Sequence, residues 1–439
     1  GDLSVPDPRV TNPELFDLDN PNAPIPQFVN AMKMAGIEIT PEQVTQGIMF
    51  QVMKDRDGKP FVIGVYHLAP VSQRDSLESD YPLLMWAENG WNEATIRLLG
   101  DKVTTTKFGI GVDEYDPYRS STYQQTLGKY FALLMPTGAF NRTYIEKAGT
   151  TPARTFRDIV LQENQTLFIQ GGFWHLDIET KLQSVTSKQA LVEYMKDISA
   201  FHLGFVKDII SAGGNTVYIN FYNEPWWYDS GNVGWLNSPY YRWFGQDCIV
   251  EAYLSYYNTA VEYGLSPGKD FRLIVNVDGI FYPNKKLYFA LDELIRTKKE
   301  IARRLGIQDE QIQLDLGIQW RFDGRVPPKD GRYKIPSVNE LQKAFDIIND
   351  YEKKIGTVLP IHITEFEIAG VTEEDRAKMM IDFSHIALTN RVISITYNGT
   401  LRSPSSPFVD DRNNWFDHQY KPTKYYYLFM ANLLKAGAP

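Results

Sequence analysis

The stretch TVYINFY at residues 216–222, together with LPIHITEF at residues 359–366, decides the fold. Both are continuous runs of mostly apolar residues rich in β-branched and aromatic side chains, and they carry the chain to Glu224 and to Glu365. A run that is apolar at successive positions is typical of a strand buried on both faces, as in a parallel sheet. The two stretches therefore predict buried parallel strands, one that leads to Glu224 and one that contains Glu365 near its end.

Further runs of the same kind alternate with amphipathic segments along residues 107–398. The helical segments have recognisable starts, since capping boxes are predicted at Thr186 and Ser337. Eight successive strand-then-helix units favour a (β/α)8 TIM barrel of the α/β class over an open sheet. The predicted strands are KFGIGV (107–112), YFALLM (130–135), TLFIQGG (166–172), TVYINFY (216–222), FRLIVNV (271–277), QLDLGIQW (313–320), LPIHITEF (359–366) and VISITYN (392–398).

The first 100 residues follow a different pattern. Residues 1–27 are rich in proline and lack periodicity, which predicts an extended arm. Further on, two apolar runs flank the turn-forming residues 55–58 (DRDG), an arrangement typical of a β-hairpin. We therefore predict a small N-terminal extension or β-containing module over residues 1–100, packed on a barrel over residues 101–439.

Composition limits the partners of the chain. It has 45 basic and 54 acidic residues, a formal net charge of −9, whereas nucleic acids and anionic membrane surfaces attract basic proteins. No apolar stretch approaches the ~18 residues that a membrane span requires. Uncharged partners such as glycans remain compatible with this balance. We therefore expect no nucleic acid and no membrane as partner, and a monomeric protein.

Metal and cofactor sites find little support in the sequence. Cys248 is the one cysteine, which excludes an internal disulfide and a cysteine-based zinc site. The six histidines show no paired ligand spacing, and the chain has no glycine-rich phosphate loop. We therefore expect no metal and no cofactor. One free thiol does not fix the compartment, since many secreted bacterial enzymes also have few cysteines. Secretion is the expected localisation.

In a (β/α)8 barrel the functional residues lie at the carboxyl ends of the strands. Glu224 and Glu365 are expected to face each other across the barrel mouth. His362 alternates away from Glu365 along its strand, so it is expected to face the outer helices. Glu367 shares the face of Glu365, where it either supports a neighbouring basic group or contacts a ligand. The other polar and aromatic residues at the predicted strand ends are Trp174, His175, Asn223, Asn276, Asp278, Gln319, Arg321, Tyr397 and Asn398.

Two opposed carboxylates suit the hydrolysis of a glycosidic bond with retention of configuration. One carboxyl group protonates the leaving oxygen, and the other attacks the anomeric carbon. Glu224 fits the acid, because residues 225–227 (PWW) offer apolar, partly enclosed surroundings. Glu365 fits the nucleophile, which hydrogen bonds from neighbouring polar side chains should hold ionised. Asn223 can donate a hydrogen bond to the sugar 2-hydroxyl.

The chain resembles glycoside hydrolases of clan A. YINFYNEPWW is similar to the acid/base signature of that clan, and IHITEFEI is similar to its nucleophile signature. Within the clan it is most similar to family 10, the endo-β-1,4-xylanases, through FGIGV, FIQGGFWH, LGIQW and the closing stretch WFDHQYKPTKYYYLF. The resemblance covers about residues 95–437.

This resemblance implies a retaining hydrolase of a β-linked polysaccharide, with xylan as the first substrate. It implies Glu224 as general acid/base and Glu365 as nucleophile, without any cofactor. For the tryptophans after Glu224, packing in the core is the alternative to sugar contact. The residues expected to contact the sugar are Trp174, His175, Asn223, Trp226, Gln319, Arg321 and Tyr397.

The chain departs from family 10 at positions that shape the sugar site. Arg321 stands where the family has a histidine, and Asn398 stands where it has a stacking tryptophan. The Arg321 guanidinium can bind a carboxylate through two hydrogen bonds, so an acidic sugar is one possible ligand. The sequence is also compatible with another clan A β-glycanase or β-glycosidase activity, and with a barrel that binds carbohydrate without turnover. A pure binder, however, has no chemical reason to keep both glutamates.

Overall fold

The fold is built from strands and helices that alternate along the chain. A computed structural model describes residues 19–21, 48–54, 60–67, 106–112 and 131–398. In chain order the strands of this part are β1 (Ile48–Lys54), β2 (Pro60–His67), β3 (Lys107–Val112), β4 (Leu133–Pro136), β5 (Thr166–Trp174), β6 (Val217–Asn223), β7 (Trp226–Asp229), β8 (Asn232–Trp235), β9 (Phe271–Val277), β10 (Asp315–Asp323), β11 (Tyr333–Lys334), β12 (Ile361–Ala369) and β13 (Ser394–Asn398).

Eight of these strands close into a parallel barrel. Their spatial order is β10, β12, β13, β3, β4, β5, β6 and β9, and β9 pairs back with β10 from Ile274↔Asp315 to Val277↔Ile318. β11 lies beside the end of β10, and β7 and β8 form a separate antiparallel hairpin directly after Glu224. The predicted (β/α)8 barrel is confirmed, and each of the eight predicted runs overlaps an observed strand.

Helices connect the barrel strands. Ser337 starts α8 with the predicted capping box, in which its hydroxyl accepts from the Glu340 N–H and the Glu340 carboxylate accepts from the Ser337 N–H. The box predicted at Thr186 is wrong, because Ser187 caps α4 instead. The helices are α1 (Arg142–Ala148), α2 (Thr151–Gln162), α3 (Thr180–Gln183), α4 (Lys188–Ser211), α5 (Pro239–Phe244), α6 (Cys248–Tyr263), α7 (Lys285–Leu305), α8 (Val338–Ile355) and α9 (Glu373–Thr389).

Two barrel strands that carry the glutamates contain β-bulges. In the β10–β12 ladder Ile318 pairs with Ile363 and Gln319 pairs with Glu365, so Thr364 is an extra residue on β12. The β6–β9 ladder likewise skips Phe221 on β6. An extra residue reverses the alternation of side chains beyond it, because successive residues of a strand point to opposite faces. The bulges therefore decide which side chains reach the barrel interior.

His362 shows this effect. Its buried ring places Nδ1 2.8 Å from Ser394 Oγ and Nε2 2.8 Å from Asp315 Oδ2, and its centroid lies 5.0 Å from that of Tyr218. Tyr218 belongs to β6, which does not neighbour β12, so the ring lies inside the barrel. The expectation that His362 faces the outer helices is therefore wrong. The bulge at Thr364 puts His362 on the same side of β12 as Glu365.

A buried charged cluster occupies the floor of the barrel, at the amino ends of the strands. Arg272 Nε and Nη2 donate to the two oxygens of Asp315 over 2.6 and 2.8 Å. Burial would raise the pKa of Asp315, but the bonds from His362 and Arg272 outweigh burial and hold that pKa below its usual value. Burial lowers the pKa of His362, which favours its neutral form. The floor of the barrel thus contains an ion pair between Arg272 and Asp315. Glu224 and Glu365 lie towards the carboxyl ends of the strands.

The described residues belong to two compact units. One contains residues 108–371 and 392–398, and the other contains β1, β2 and α9. β1 and β2 pair antiparallel, as the hairpin pattern predicts. The predicted arm over residues 1–27 and the predicted boundary near residue 100 lie outside the described residues, apart from residues 19–21, and stay predictions. None of the helices in the described part of the chain has both the length and the apolar character needed to cross a bilayer.

Candidate active site

Glu224 directly follows β6 in an unusual backbone conformation. Its φ is +49°, in the left-handed region that few residues other than glycine adopt. The Glu224 N–H donates to the Asn276 carbonyl on β9 over 2.7 Å, which holds this turn in place. Such conformations persist where the surrounding structure enforces them, and they cluster at functional sites.

The Glu224 carboxylate is held from two other strands of the barrel. Trp174 Nε1 donates to Glu224 Oε2 over 3.3 Å, and Gln319 Nε2 donates to Glu224 Oε1 over 3.0 Å. Trp174 ends β5 and Gln319 lies within β10, so three strands converge on one partly buried carboxylate. The structure therefore brings together these three residues of the predicted site.

Glu365 is joined to the same site through Asn276. The Asn276 amide nitrogen donates to Glu365 Oε2 over 3.0 Å, and its amide oxygen accepts from the hydroxyl of Thr364. Thr364 and Glu365 are consecutive, and both reach the same side chain because Thr364 is the bulged residue of β12. Glu365 lies inside β12 and not at its end, since the strand continues to Ala369.

Asn223 completes this network of amides. Its amide oxygen accepts from Asn276 Nδ2 over 2.9 Å and from Asn220 Nδ2 over 3.0 Å. The Asn223 amide nitrogen donates to no group in the described part of the chain, so it is available to a ligand hydroxyl. Asn220 did not emerge from the sequence, because regular alternation places it on the face opposite to Asn223, whereas the bulge at Phe221 brings the two together.

Gly317 makes room for the network. A Cβ atom at this position would lie 2.9 Å from Asn276 Oδ1 and 2.9 Å from Thr364 Cγ2, both closer than packed atoms tolerate. Glycine is therefore required on β10 for the side chains of β9 and β12 to meet above it. No pattern in the sequence around Gly317 indicates this requirement.

The pKa of Glu365 is raised to about 7. Burial is the main cause, the charges of Glu224 and Glu367 add to it, and the Arg321 charge and the hydrogen bond from Asn276 oppose it. Burial thus opposes the ionised state that was expected for Glu365, whereas the hydrogen bond from Asn276 favours it, and the ionised nucleophile stays a prediction.

Glu367 supports two arginines. Its buried Oε1 accepts from Arg321 Nε over 2.7 Å and from Arg332 Nε over 3.2 Å, and Arg321 Nη2 also donates to the Asp330 carbonyl over 3.2 Å. Glu367 therefore supports neighbouring basic groups, one of the two roles predicted for it. Arg332 lies in the loop after β10 and was missed, because nothing near it in the sequence marks a strand end.

The remaining predicted contact residues occupy different environments. Trp226 is buried against Trp235 and Phe289, and Tyr397 is buried against Phe366. These two rings therefore lie in packed surroundings, and for Trp226 packing in the core was one of the two roles expected from the sequence. His175 is partly buried beside Trp174, and its Nδ1 is buried with no hydrogen-bond partner among the described residues. Their contacts with sugar stay predictions.

The described residues contain no group of three or more histidine, cysteine, aspartate or glutamate side chains that could hold a metal ion. Cys248 is buried, and burial raises the pKa of its thiol to about 12. The side chains described around Glu224 and Glu365 carry carboxyl, amide, indole and guanidinium groups. A pair of carboxyl groups within electrostatic reach of each other can divide proton transfer and nucleophilic attack between them.

The barrel is similar to solved structures of xylanases. Xylanase 10B from Thermotoga petrophila RKU-1, in complex with xylobiose, is 18% identical with a TM-score of 0.58, over 77% of this chain and 96% of the xylanase. Endo-1,4-beta-xylanase XylE of Penicillium canescens is 16% identical with a TM-score of 0.57, over 76% and 94%. A psychrophilic glycoside hydrolase family 10 endo-beta-1,4-xylanase is 17% identical with a TM-score of 0.54, over 74% and 96%.

No protein-family model and no curated protein matches the chain by sequence. At these identities the structural similarity shows a shared fold. The resemblance to family 10 that the motifs indicated is thus confirmed at the level of the fold.

Proposed function

We propose that this protein is a retaining glycoside hydrolase that cleaves β-linked polysaccharide, in the manner of an endo-β-1,4-xylanase. The observation that carries the proposal is the pair Glu224 and Glu365, which Asn276 joins at the carboxyl side of the barrel. The similarity to xylanases, one of them in complex with xylobiose, supports xylan as the first substrate to test. A different β-glycan is the second candidate substrate.

The proposed reaction is a double displacement. The Glu224 carboxyl group donates its proton to the leaving glycosidic oxygen while the Glu365 carboxylate forms a bond to the anomeric carbon. Water, deprotonated by Glu224, then breaks the bond between the sugar and Glu365, and Glu224 regains its proton. Trp174 and Gln319 orient Glu224 through their hydrogen bonds to its two oxygens, and the free amide of Asn223 meets the sugar 2-hydroxyl.

The starting state of this reaction needs its proton on Glu224 and a negative charge on Glu365. In the ligand-free protein burial instead favours a proton on Glu365, whose pKa is about 7. The Arg321 charge opposes this effect and stabilises the ionised form of Glu365. The exchanged assignment, with Glu365 as acid and Glu224 as nucleophile, is therefore a second mechanism that the experiment must separate from the first.

Glu224→Ala and Glu365→Ala, assayed with an aryl β-xyloside and with azide as an added nucleophile, separate the two assignments. Without the acid/base, an activated leaving group still departs and azide attacks the glycosyl-enzyme, giving a β-glycosyl azide. Without the nucleophile, azide enters the empty space and attacks the substrate directly, giving the α-azide. We expect the β-azide from Glu224→Ala and the α-azide from Glu365→Ala.

The parent protein provides the reference for these variants. Its products from xylan and from other β-glycans, followed by NMR, should first appear as β-anomers. Interchanged azide products would reverse the roles of the two glutamates, and α-anomers as first products would reject retention. Binding of xylo-oligosaccharides without any turnover by the parent would reject the hydrolase and favour a carbohydrate-binding barrel.

A further inference from the structure

The loop after β5 buries its acidic side chains and exposes its aliphatic ones. Leu176 and Ile178 are 54% and 59% exposed, whereas Asp177 and Glu179 are 8% and 1% exposed. Burial of a carboxyl group is costly unless hydrogen bonds compensate for the lost water. Local packing alone therefore does not explain why this segment buries its acidic side chains and exposes its aliphatic ones.

Both buried carboxyl groups receive phenolic donors from helices behind the loop. Tyr240 on α5 donates to Asp177 Oδ2 over 2.6 Å, and Tyr194 on α4 donates to Glu179 Oε1 over 2.6 Å. Asp177 Oδ2 also accepts from the backbone N–H of Trp174 over 2.9 Å, while the Asp177 N–H donates to the Trp174 carbonyl over 3.1 Å. Asp177 thus holds the backbone of Trp174 by two hydrogen bonds.

Trp174 connects this anchor to the catalytic pair. Its backbone is held by Asp177, and its indole N–H donates to Glu224 Oε2. A short chain of contacts therefore runs from Tyr240 through Asp177 and Trp174 to Glu224. The position of the indole donor depends on the backbone at Trp174, since the side chain itself has only two rotatable bonds.

We propose that Asp177 is a positioning residue for the general acid/base: it fixes the Trp174 indole donor against Glu224. This inference rests on the proposed function. An indole N–H at Glu224 Oε2 stabilises the carboxylate form, because a hydrogen bond to the charged form favours that form. Loss of the anchor removes this preference from the residue that must take up and release a proton in each cycle.

The electrostatics of the anchor define the conservative variant. Burial raises the pKa of Asp177 to about 8, the charge of Glu179 adds to the rise, and the bonds from Tyr240 and Trp174 oppose it. Burial thus favours the neutral form of Asp177, which can still accept both hydrogen bonds at Oδ2. An asparagine offers the same accepting oxygen, so Asp177→Asn should keep the side-chain bond to the Trp174 N–H, whereas Asp177→Ala loses it and keeps only the backbone bond.

The kinetic test compares Asp177→Ala, Asp177→Asn, Trp174→Phe and the double variant Asp177→Ala/Trp174→Phe. We expect Asp177→Ala to lower kcat roughly 10- to 100-fold, the scale of a misplaced catalytic group. The basic limb of its pH profile should move to higher pH, as in Trp174→Phe, with no further shift in the double variant. Asp177→Asn should retain most of the rate. Asp208→Asn, on the exposed side of α4, is the matched control for loss of an acid.

A second readout does not require turnover. The indole N–H resonance of Trp174, identified by its absence in Trp174→Phe, should shift with pH as Glu224 titrates, and Glu224→Gln should abolish that shift. Asp177→Ala should reduce this titration shift, and Asp177→Asn should keep it. Tyr240→Phe removes the other donor to Asp177 Oδ2 and so loosens the anchor; if Asp177→Ala does not fold, this variant should reduce the titration shift of Trp174 in part.

The proposal is overturned if Asp177→Ala lowers only thermal stability, leaving the pH profile and the Trp174 resonance as in the parent. Additive pH shifts in the double variant, or equal losses in the Asn and Ala variants, would likewise reject it. If no glycan is hydrolysed, the proposed function fails, and the NMR titration alone decides the role of Asp177.

Discussion

At the scale of single residues, Asn276 organises the site. Its one amide group contacts Asn223, Thr364 and Glu365, which come from two other strands of the barrel. The amide is buried, so each of its hydrogen bonds forms in a low-dielectric environment where an unmade bond is costly. Small displacements around Asn276 should therefore affect both carboxyl groups at once.

Gly317→Ala tests this dependence. The added methyl group meets Asn276 and Thr364, so the variant should lose about 1–3 kcal/mol of unfolding free energy, as overpacked sites do. Its kcat should fall as well, because the amide that holds Glu365 moves. Gly204→Ala on α4 is the control, since its Cβ enters open space. Equal kinetics for both variants would show that the network tolerates the displacement.

Arg321→Met tests the ionisation of Glu365. In the proposed reaction Glu365 must be ionised, so its pKa near 7 should set the acid limb of kcat/KM, and the rate should fall at lower pH. Arg321 lowers this pKa, so removal of its charge should move the acid limb to higher pH, and Arg321→Lys should move it less. Arg296→Met on α7 is the control for a lost arginine. An unmoved limb in Arg321→Met would mean that another group controls it.

At the scale of elements, local sequence patterns indicate where strands and helices lie, and tertiary contacts decide where they begin and end. The apolar runs place all eight barrel strands, but three strands extend two or three residues beyond their predicted ends: β5 to Trp174, β10 to Asp323 and β12 to Ala369. The residues beyond those predicted ends, among them Trp174, Arg321 and Glu367, still pair with the neighbouring strands. The start of a helix also depends on the folded backbone, because the N-cap is the residue whose hydroxyl the backbone directs at a free N–H group of the first turn.

Ser187→Ala and Thr186→Ala separate the cap that the sequence predicts from the one that the structure uses. Ser187 Oγ accepts from the Ala190 N–H over 3.1 Å, which satisfies a free donor at the start of α4. Ser187→Ala should therefore cost about 1 kcal/mol of unfolding free energy, and Thr186→Ala should cost much less. Chemical denaturation measures both. A larger loss of unfolding free energy in Thr186→Ala than in Ser187→Ala would show that Thr186 is the N-cap, as the sequence predicts.

At the scale of the whole molecule, the two ends of the barrel respond to pH in opposite ways. On the floor, His362 has a lowered pKa and Asp315 has a lowered pKa, so both contributions to stability decline as the pH falls. In the site, Glu365 has a raised pKa, so folding binds its proton more tightly and stability declines as the pH rises. Ionisation of Glu365, which the proposed reaction needs, therefore lowers stability at the site, while the floor becomes more stable over the same rise in pH.

Glu365→Gln should stabilise the protein. The cost of the buried charge is absent at pH 4, grows between the usual pKa of 4.5 and about 7, and is complete above pH 7. At about 1.4 kcal/mol per pKa unit the gain above pH 7 is on the order of 3 kcal/mol. Thermal denaturation of Glu365→Gln and of the exposed control Glu193→Gln at pH 5 and pH 8 measures it. An equal gain in stability at both pH values would show that the gain does not come from the ionisation of Glu365.

The sequence by itself determined the barrel and the positions of the two glutamates in it. Continuous apolar runs and intervening amphipathic segments are local signals, and the order of strands in a closed parallel barrel follows the order in the chain. Trp174, Asn223 and Gln319 were found by the same reasoning, since side chains near the carboxyl ends of the strands converge at one mouth.

Only the tertiary structure decided what surrounds those glutamates. The bulges at Phe221 and Thr364 arise from pairing between strands far apart in sequence, and they reverse the alternation that placed His362 outside and left Asn220 out of the site. The raised pKa of Glu365 depends on burial and on charges contributed by other strands. Electrostatic fields and ladder registers are sums over distant parts of the chain, so no local pattern contains them.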